Sequence, residues 1–453
     1  SQIRIENPSE EVIQYCKSFL TLKNPEIQKK RAMGFYVGNL PSMIYLYKKQ
    51  NKSLIIPIGC LDDIWKLYPI KEDYNVNFGN HEKIEFPDLK FDPYEYQEKA
   101  IQAMIKAKRG ILKASCGSGK SICAINIIKR VGYKAIIIVQ TMEILNQFKT
   151  YCLDVMQLSK DDIGIIAAGK VEIGSKVTIA LRQTLCNIDL SQYKFEWGTI
   201  ITDEIQNIAS NPSKITQYEK ILNNIAAEYR IGLSATPKRN DGLTNSMFAL
   251  CGKIKHEITQ EEVSGRTIKA EVQPIYTKYE IPIYALKTDG TLDYVKMPTA
   301  MAENPDRNAQ ILELLKENKE NFCLILSDRL IGLNLLHEQL GEGLLIDGSQ
   351  TSKTAKKERE EAIEKMRKKE EHFLFATYSL AKEGLDIKPL NRLFLVAPTK
   401  NSNAIIQSVG RIERKDKGKE TPIVYDFIDK NIYYEKAWKL RKTIYKKNGN
   451  IIR

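Results

Sequence analysis

Histidine and paired cysteines are scarce in this sequence of 453 residues. It contains four histidines, and its eight cysteines are scattered without a single Cys-x-x-Cys pair. Structural zinc sites need several Cys or His ligands at recurrent spacings, and disulfide frameworks need a high density of cysteines. The composition therefore argues against both kinds of stabilisation and favours reduced cysteines in a protein core.

Long apolar runs are also missing. No stretch approaches the roughly eighteen consecutive apolar residues that predict a membrane-spanning helix. The opening residues, SQIRIENPSEE, lack the basic-then-apolar layout of a secretory signal, so we expect a cytoplasmic protein with no membrane partner. The length exceeds one typical core and predicts roughly two to four domains.

What the chain does have is an excess of positive charge. The net charge is +13, and residues 351–453 carry 25 Lys and Arg against 14 Asp and Glu. After Glu435 the tail has seven basic residues and no acidic one. Such a surplus favours a polyanionic partner such as nucleic acid, although a run of charge is often only a solvated face.

Short β-rich runs alternate with helical patterns in two parts of the chain. The first series is GILKA, AIIIVQ, IGIIA, KVTIAL, GTIITDE and RIGLSAT, and the second is FCLIL, GLLID, FLFAT, RLFLVA and PIVYDFI. Alternation of this kind predicts parallel sheets covered by helices on both faces. The fold class is therefore expected to be α/β, with two tandem parallel-sheet domains and a small α+β domain before them.

The expected boundaries follow from where the alternation begins and ends. We expect an accessory domain over residues 1–90 with a hairpin within GNLPSMIYLYKKQNKSLIIPIG, and a first α/β domain over 91–250. A connecting segment with strands of its own covers 251–305, and the second α/β domain with its basic tail covers 306–453. A densely charged surface helix is predicted from about residue 352 to 371.

The string ASCGSGKS, residues 114–121, has the composition of a phosphate-binding loop between a strand and a helix. Gly117 and Gly119 allow backbone N–H groups to close around a phosphate. Lys120 is expected to reach the β- and γ-phosphates, and the Ser121 hydroxyl to ligate Mg²⁺. ATP and Mg²⁺ are thus the expected cofactors.

A carboxylate pair follows a later β-rich run, in TDEIQ at residues 202–206. The carboxyl ends of parallel strands are where open α/β sheets bind ligands. Asp203 is expected to hold Mg²⁺ on the nucleotide, and Glu204 to polarise the attacking water.

A third string, QSVGRIER at residues 407–414, carries two arginines three residues apart. This spacing predicts one face of a helix for Arg411 and Arg414. Because a guanidinium is planar and permanently charged, it suits a transferring phosphoryl group. Its location in the second α/β domain would make hydrolysis depend on domain closure.

Together these motifs resemble those of superfamily 2 helicases, and the resemblance runs from about residue 91 to 430. In that family the phosphate loop commonly begins with Ala, as Ala114 does here, and each half of the core is a RecA-like domain. LSATP, residues 233–237, resembles the motif that couples nucleotide state to strand movement. The spacing of the motifs and the phrase GLSATPKRNDGL resemble the DNA-acting branch with RecG-like, XPB-like and phage branch-migration enzymes, and residues 22–49 resemble the accessory domain of phage and viral members.

The resemblance assigns further residues to the nucleotide. They are the adenine reader Gln97, the stacking candidates Tyr94 and Tyr96, Ser118 of the loop, the nucleotide-facing pair Gly384 and Asp386, and Gln407 of the last motif.

It also assigns residues to the nucleic acid. In the first domain these are Gln140, Thr141, Arg182, Gln183 and Thr184, and in the second they are Asp328, Arg329 and Thr377.

The chain departs from the family pattern at two positions. Gln206 stands where the box usually ends in His or Asp, and it is expected to hydrogen-bond towards the Arg414 helix. Ser408 stands where many members have Arg, which leaves two arginines for the chemistry.

The resemblance implies an ATP-dependent DNA helicase or translocase that remodels forks and four-way junctions in replication, recombination or repair. A monomer is expected, in the host cytoplasm if the protein is phage-encoded. Three alternatives stay open: an RNA helicase, a duplex translocase that does not separate strands, and a DNA-binding protein with an inactive nucleotide site. The last is disfavoured by the intact Lys120, Asp203, Glu204, Arg411 and Arg414.

Overall fold

A computed structural model describes residues 2–453 apart from 33, 68–73, 116, 209–215, 240, 264, 266, 348–352, 383, 384, 386 and 431. The chain divides into two compact units, Ser1–Glu262 and Val263–Arg453. The division falls within residues 251–305, the connecting segment predicted from the sequence. No helix in the described ranges has the length and apolar character needed to cross a membrane.

The first unit begins with a small α+β lobe built around an antiparallel sheet. Its elements are β1 (Gln2–Glu6), α1 (Glu10–Phe19), β2 (Thr21–Lys23), α2 (Pro25–Ala32), β3 (Met43–Tyr45), β4 (Lys48–Gln50), β5 (Ser53–Pro57), α3 (Leu61–Leu67) and β6 (Tyr74–Asn75). The sheet order is β4-β5-β1-β6, and β2 pairs separately with β3. The expected hairpin is present as β4–β5, which turns at Asn51 with a positive φ of 53°.

An eight-stranded sheet forms the rest of this unit. Its elements are α4 (Glu95–Ala107), β7 (Arg109–Ala114), α5 (Lys120–Val131), β8 (Ala135–Val139), α6 (Met142–Asp154), β9 (Ile163–Ala167), β10 (Lys170–Val171), β11 (Val177–Leu181), α7 (Arg182–Leu185), β12 (Thr199–Thr202), α8 (Gln217–Asn224), β13 (Tyr229–Ser234), α9 (Thr244–Cys251) and β14 (Ile254–Ile258). The order is β10-β9-β11-β8-β12-β13-β7-β14, and every pairing except β10–β9 is parallel. All six predicted runs are strands of it.

The second unit contains a seven-stranded sheet in which every pairing is parallel. Its elements are β15 (Glu271–Tyr276), α10 (Met297–Ala302), α11 (Pro305–Glu317), β16 (Cys323–Ser327), α12 (Leu330–Leu340), β17 (Leu344–Ile346), α13 (Lys353–Arg367), β18 (Phe373–Thr377), α14 (Tyr378–Lys382), β19 (Arg392–Leu395), α15 (Ser402–Ile412), β20 (Ile423–Ile428), α16 (Ile432–Lys447) and β21 (Ile451–Ile452). The order is β17-β18-β16-β19-β20-β15-β21. The α/β fold class is therefore confirmed, and α13 is the charged helix that the sequence predicts.

The basic tail is less exposed than its composition implies. Arg441 on α16 is 1% exposed and forms a buried ion pair with Asp426 of β20, at 2.8 Å. Lys436, Lys439 and Lys442 lie on the exposed side of the same helix. The helix is thus amphipathic, and the charge available to a partner is that of its lysines.

Candidate functional site

The phosphate-binding loop joins β7 to α5 as the sequence predicts. Gly117 and Gly119 have φ angles of 80° and 79°, in the left-handed region that glycine adopts without strain. The Ser118 amide donates to the Ser115 carbonyl at 3.2 Å, which curls the loop towards the first turn of α5. Free N–H groups at a helix N-terminus favour an anion, so the loop forms a phosphate cradle.

Lys120 and Ser121 are the first two residues of α5, and both are half-buried. The Lys120 ammonium donates to the Ala114 carbonyl at 3.4 Å, a long hydrogen bond that a phosphate can replace. The buried Ser118 hydroxyl has no hydrogen-bond partner. A buried polar group without a partner is costly, and a phosphate oxygen would satisfy it.

The residues assigned to the adenine lie beside this loop. Gln97, 3% exposed, donates from its Nε2 to the Ser118 carbonyl at 2.8 Å, and its Oε1 accepts from the Tyr94 amide at 3.0 Å. Any side chain at position 119 would collide with the Gln97 amide. The Tyr94 and Tyr96 rings stack with centroids 5.9 Å apart, and Tyr94 is 47% exposed. Gln97 therefore connects the exposed Tyr94, which stacks on the half-buried Tyr96, to the phosphate loop.

Asp203 and Glu204 follow directly after β12. Asp203 is 9% exposed, and its amide donates to the Ile138 carbonyl at 3.0 Å, which anchors it to β8. Glu204 has a φ of 48°, an uncommon conformation for a residue with a side chain. The parallel register of β7, β13, β12 and β8 brings this pair and the phosphate loop to one edge of the sheet.

Gln206 connects the carboxylate pair to the LSATP motif. Its Nε2 donates to the Glu204 carboxylate, and its Oε1 accepts from the Ser234 hydroxyl at 2.6 Å. The Ser234 hydroxyl in turn accepts from the Thr236 amide at 3.0 Å. The Gln206 amide is thus hydrogen-bonded within the first unit. The expectation that it hydrogen-bonds towards the Arg414 helix stays a prediction.

A clamp formed by Arg239 and Asp241 was not predicted from the sequence. The Arg239 guanidinium donates to the carbonyls of Gln206, at 2.8 Å, and Ile208, and it is paired with both oxygens of the Asp241 carboxylate. Asp241 also accepts from the Leu243 amide at 3.1 Å. These residues lie within GLSATPKRNDGL, so the signal was an Arg and an Asp two residues apart directly after the motif.

The predicted nucleic-acid contacts of the first unit extend along the same sheet edge. Thr141 caps α6, with its hydroxyl accepting from the Ile144 amide at 3.4 Å. Gln140 donates to the Glu204 carbonyl at 3.4 Å and to the Tyr218 hydroxyl at 3.3 Å, so it also supports the carboxylate pair. Arg182 lies over the Tyr218 ring, 5.2 Å from its centroid.

Two further assigned residues lie on the short helix α7. Gln183 is exposed and Thr184 is half-buried. Because β11 pairs in parallel with β8, the start of α7 lies at the same edge as Gln140 and Thr141.

In the second unit, three predicted residues lie at the carboxyl ends of neighbouring strands. Asp328 and Arg329 follow β16, and Thr377 ends β18, which pairs with β16 so that Ser327 lies beside Thr377. Asp328 is exposed, and Arg329 and Thr377 are half-buried. Gly384 and Asp386 lie outside the described residues.

The last motif is divided between a helix and an extended segment. Gln407 is buried on α15 and Arg411 lies in its last turn, but the helix ends at Ile412, so the prediction of one helical face for both arginines is wrong. Arg414 instead forms a β-bridge with Thr267.

Glu413 explains this break in the helix. It is 3% exposed, and its carboxylate accepts from the Ala270 amide at 3.2 Å and from the Asn450 side chain at 2.7 Å. Its carbonyl accepts from the Ile268 amide at 2.8 Å. These contacts hold the chain beside the start of β15. The helix therefore does not continue, and the backbone hydrogen bonds of a further helical turn do not form.

Mg²⁺ fits this arrangement as a shared ligand of nucleotide and protein. In the described ranges no group of three or more His, Cys, Asp or Glu is placed to hold a metal. Mg²⁺ usually keeps several waters and is bound through one or two protein groups plus phosphate oxygens. Ser121 and Asp203 would be those groups.

A parallel sheet with a phosphate loop and a carboxylate pair at one edge defines a P-loop nucleotide-binding protein. Two known families match this chain and identify a narrower class. Residues 90–239 match the family described as Type III restriction enzyme, res subunit, and residues 306–416 match the Helicase conserved C-terminal domain. The two matches together cover more than half of the chain, which belongs to the superfamily 2 helicases and is an ATP-dependent helicase.

Individual relatives agree with this family. The chain is 28% identical over 355 residues to an Acanthamoeba polyphaga mimivirus protein provisionally named an ATP-dependent RNA helicase, covering 77% of this chain and 66% of that protein. It is 24% identical over 392 residues to the DNA 3'-5' translocase XPB2 of Sulfurisphaera tokodaii, covering 79% and 87%. The fold is similar to that of S. cerevisiae Dbp5 bound to RNA and ADP BeF3, with a TM-score of 0.59 at 16% identity over 80% of this chain and 89% of that one.

Proposed function

We propose that this helicase is a motor that hydrolyses ATP, translocates on duplex DNA and remodels branched structures such as forks and four-way junctions. The observation that carries the proposal is the shared sheet edge, where the phosphate loop, the Asp203–Glu204 pair and the Gln206–Ser234 connection lie together. Such an edge can connect the state of a bound nucleotide to LSATP and to the nucleic-acid contacts beside it.

The roles of the side chains follow from their chemistry. Lys120 and the loop amides bind the β- and γ-phosphates, and Ser121 and Asp203 hold the metal. Mg²⁺, when bound, neutralises charge on the phosphates during transfer. Glu204 orients and polarises the attacking water, and the hydrogen bond from Gln206 holds its carboxylate in place.

The arginines of the last motif are proposed to complete the site. Arg411 and Arg414 belong to the second unit, so they would add positive charge to the transferring phosphoryl group only when the two units close on the nucleotide. Arginine fingers elsewhere contribute roughly 10³–10⁵ in rate. Domain closure driven by nucleic acid would therefore stimulate hydrolysis.

Lysine side chains supply the contact with the nucleic-acid backbone. The lysines on the exposed side of α16 and the exposed cations of the N-terminal lobe are suited to phosphate contacts, which carry little sequence information and weaken steeply with salt. Such contacts beyond the core are expected to reach the arms of a branched substrate.

An RNA substrate is the second candidate. The mimivirus relative is provisionally named an RNA helicase, whereas XPB2 is named a DNA translocase. A protein distinguishes RNA from DNA through the 2′-hydroxyl of the ribose. We favour DNA because the motif spacing resembles that of the DNA-acting branch.

The test measures ATP turnover with duplex DNA, single-stranded DNA and RNA as stimulants, beside strand exchange from a labelled mobile junction. We expect duplex and branched DNA to stimulate most, and the junction to move only with ATP. Lys120→Ala is the inactive control. Stimulation by RNA alone would favour the second candidate, and ATP turnover on DNA without junction movement would leave a simple translocase.

A further inference from the structure

The segment over residues 21–52 concentrates positive charge at the surface of the N-terminal lobe. It contains seven Lys and Arg but only one acidic residue, Glu26. Together with the surplus of residues 351–453, this leaves the rest of the chain with a net negative charge. The segment is therefore one of two parts of the chain in which positive charge is concentrated, and this charge favours a polyanion.

These cations are available to a partner. Lys29, Arg31, Lys48 and Lys49 are exposed, and Lys30 is half-buried. None of the ion pairs among the described residues includes them. Surface cations that form no ion pair attract phosphate, because no internal pair has to be broken first.

Three large aromatic side chains lie on the same segment and are unusually exposed. Tyr36 is 90% exposed, Phe35 is 63% exposed and Tyr45 is 62% exposed. Exposed single apolar residues are ordinary, but a segment that carries both exposed aromatic rings and exposed cations has the groups that bind nucleobases and phosphates.

The loop that carries Phe35 and Tyr36 is held in a defined shape. Its base is closed by Asn24, 2% exposed, whose amide donates to the Ser42 carbonyl at 2.9 Å and whose side chain donates to the Pro41 carbonyl at 2.8 Å. At the tip, the Phe35 amide donates to the Lys30 carbonyl at 2.9 Å. A preformed loop loses less conformational entropy on binding than a disordered one.

The base of the segment is also attached to the core of the first unit. Leu22 and Ile44, on β2 and β3, pack with Leu243, and the Asn245 side chain donates to the Phe19 carbonyl at 3.1 Å. The exposed tip is therefore carried on a fixed platform.

We propose that this segment is a binding site for single-stranded nucleic acid, in which phosphates contact the cations of α2 and β4 and unpaired bases stack on Phe35, Tyr36 and Tyr45. This inference rests on the proposed function, and it specifies that the N-terminal lobe binds the single-stranded part of the substrate. Single strands fit better than duplex because paired bases have their faces covered by neighbouring bases. An unpaired strand at a fork or junction exposes both its phosphates and the faces of its bases.

The test uses the full chain and dye-labelled single-stranded DNA, RNA of the same sequence and duplex DNA in anisotropy titrations. The stacking variant is Phe35→Ala/Tyr36→Ala, and its matched control is Tyr276→Ala, another exposed aromatic residue, in the second unit. The stacking variant should lose about ten- to a hundredfold in affinity for the single strand while duplex affinity changes little. Comparable losses on DNA and RNA would mean that stacking is shared, and a larger loss on one identifies the preferred strand.

The phosphate contacts have their own variant, Lys29→Gln/Lys30→Gln/Arg31→Gln, with Lys316→Gln/Lys319→Gln as its control. Removing three phosphate contacts should reduce the slope of log affinity against log salt by roughly two for single strands. Unchanged single-strand binding in the stacking variant, or an equal loss on duplex, would overturn the site. ATP turnover of the wild type with duplex DNA decides the proposed function separately, since these variants leave the nucleotide residues intact.

Discussion

The edge of the first sheet and the buried ion pairs of the second unit differ in how their polar groups are satisfied. Near the edge of the first sheet, the hydroxyls of Ser115, Ser118 and Thr236 are buried and have no hydrogen-bond partner. In the second unit, Asp426 is held by Arg441 and by the Tyr445 hydroxyl at 2.7 Å. The first edge has polar groups that a ligand can satisfy, whereas these buried charges of the second unit are satisfied by the protein.

Asp429 completes this pattern in the second unit. It is fully buried at the end of β20 and accepts from Arg307 at 2.7 Å and from the Thr277 hydroxyl at 2.6 Å. Two buried guanidinium–carboxylate pairs thus join α11 and α16 to β20 and the residue that follows it. Unlike the hydroxyls at the first edge, these charged groups of the second unit have protein partners.

The largest effect is expected from a substitution at the edge of the first sheet. Lys120→Ala should abolish measurable ATP turnover, a loss beyond the roughly 10²–10³-fold caused by removing one transition-state donor, because no other cation begins α5 at the phosphate loop. Steady-state ATPase assays with saturating nucleic acid measure it. The control is Lys129→Ala, which removes another cation of α5. Lys129 is paired with Asp88, outside this helix, so the variant should retain turnover. Near-normal activity of Lys120→Ala would contradict the site.

The next effect tests the second unit. Arg441→Met should destabilise the fold by about 3–5 kcal/mol, because it leaves the Asp426 carboxylate buried without its counter-charge. Denaturant unfolding followed by tryptophan fluorescence measures the loss. The double variant Arg441→Met/Asp426→Leu should be more stable than the single one, since no charge is stranded, and the opposite order would show that packing rather than charge is lost.

A smaller effect is expected where the carboxylate pair meets LSATP. Gln206→Leu removes both the donor to Glu204 and the acceptor for Ser234, and it should lower stimulated turnover roughly ten- to a hundredfold. Nucleotide affinity should change little, because neither Lys120 nor the loop amides are altered. Binding of a fluorescent nucleotide, measured beside turnover, separates the two. Parallel losses in both would contradict the coupling role.

A pH effect is expected at Lys419, which holds the segment after α15. Its ammonium donates to the carbonyls of Arg414 at 2.6 Å and Lys388 at 3.0 Å, and burial lowers its pKa to about 8, against the opposing charges of Asp416 and Glu413. Between about pH 8 and 10 the unfolded chain holds more protons on this lysine than the folded chain does. The stability of wild type relative to Lys419→Met should therefore rise with pH across this window. A falling difference in the free energy of unfolding would contradict the lowered pKa.

The smallest expected effect concerns the unpaired hydroxyl of Ser118. Ser118→Ala should leave the thermal midpoint nearly unchanged without nucleotide, because no protein hydrogen bond is lost. With nucleotide, the wild type should gain more thermal stability than the variant if phosphate satisfies this hydroxyl. An equal gain in both proteins would show that the hydroxyl is not used.

Local pattern was sufficient for the strands and the phosphate loop. The apolar runs that became β7, β8, β12 and β13 are buried on both faces of a parallel sheet, so each is recognisable without its neighbours. The glycines and the lysine of the loop are adjacent in sequence for a chemical reason, since the turn and the cation must meet one phosphate. The family resemblance, confirmed by the two family matches, rests on these same local strings.

Partners distant in sequence were decided only by the tertiary structure. Sequence spacing placed Arg411 and Arg414 on one helix, but the buried Glu413 finds hydrogen bonds beside β15 and ends it. The composition of the tail includes Arg441 in the basic surplus that favours a polyanionic partner, but its ion pair with Asp426 buries it in the core. In each case a polar group that must be buried is satisfied by a residue from another element, and the residue that supplies the partner cannot be identified until the chain has folded.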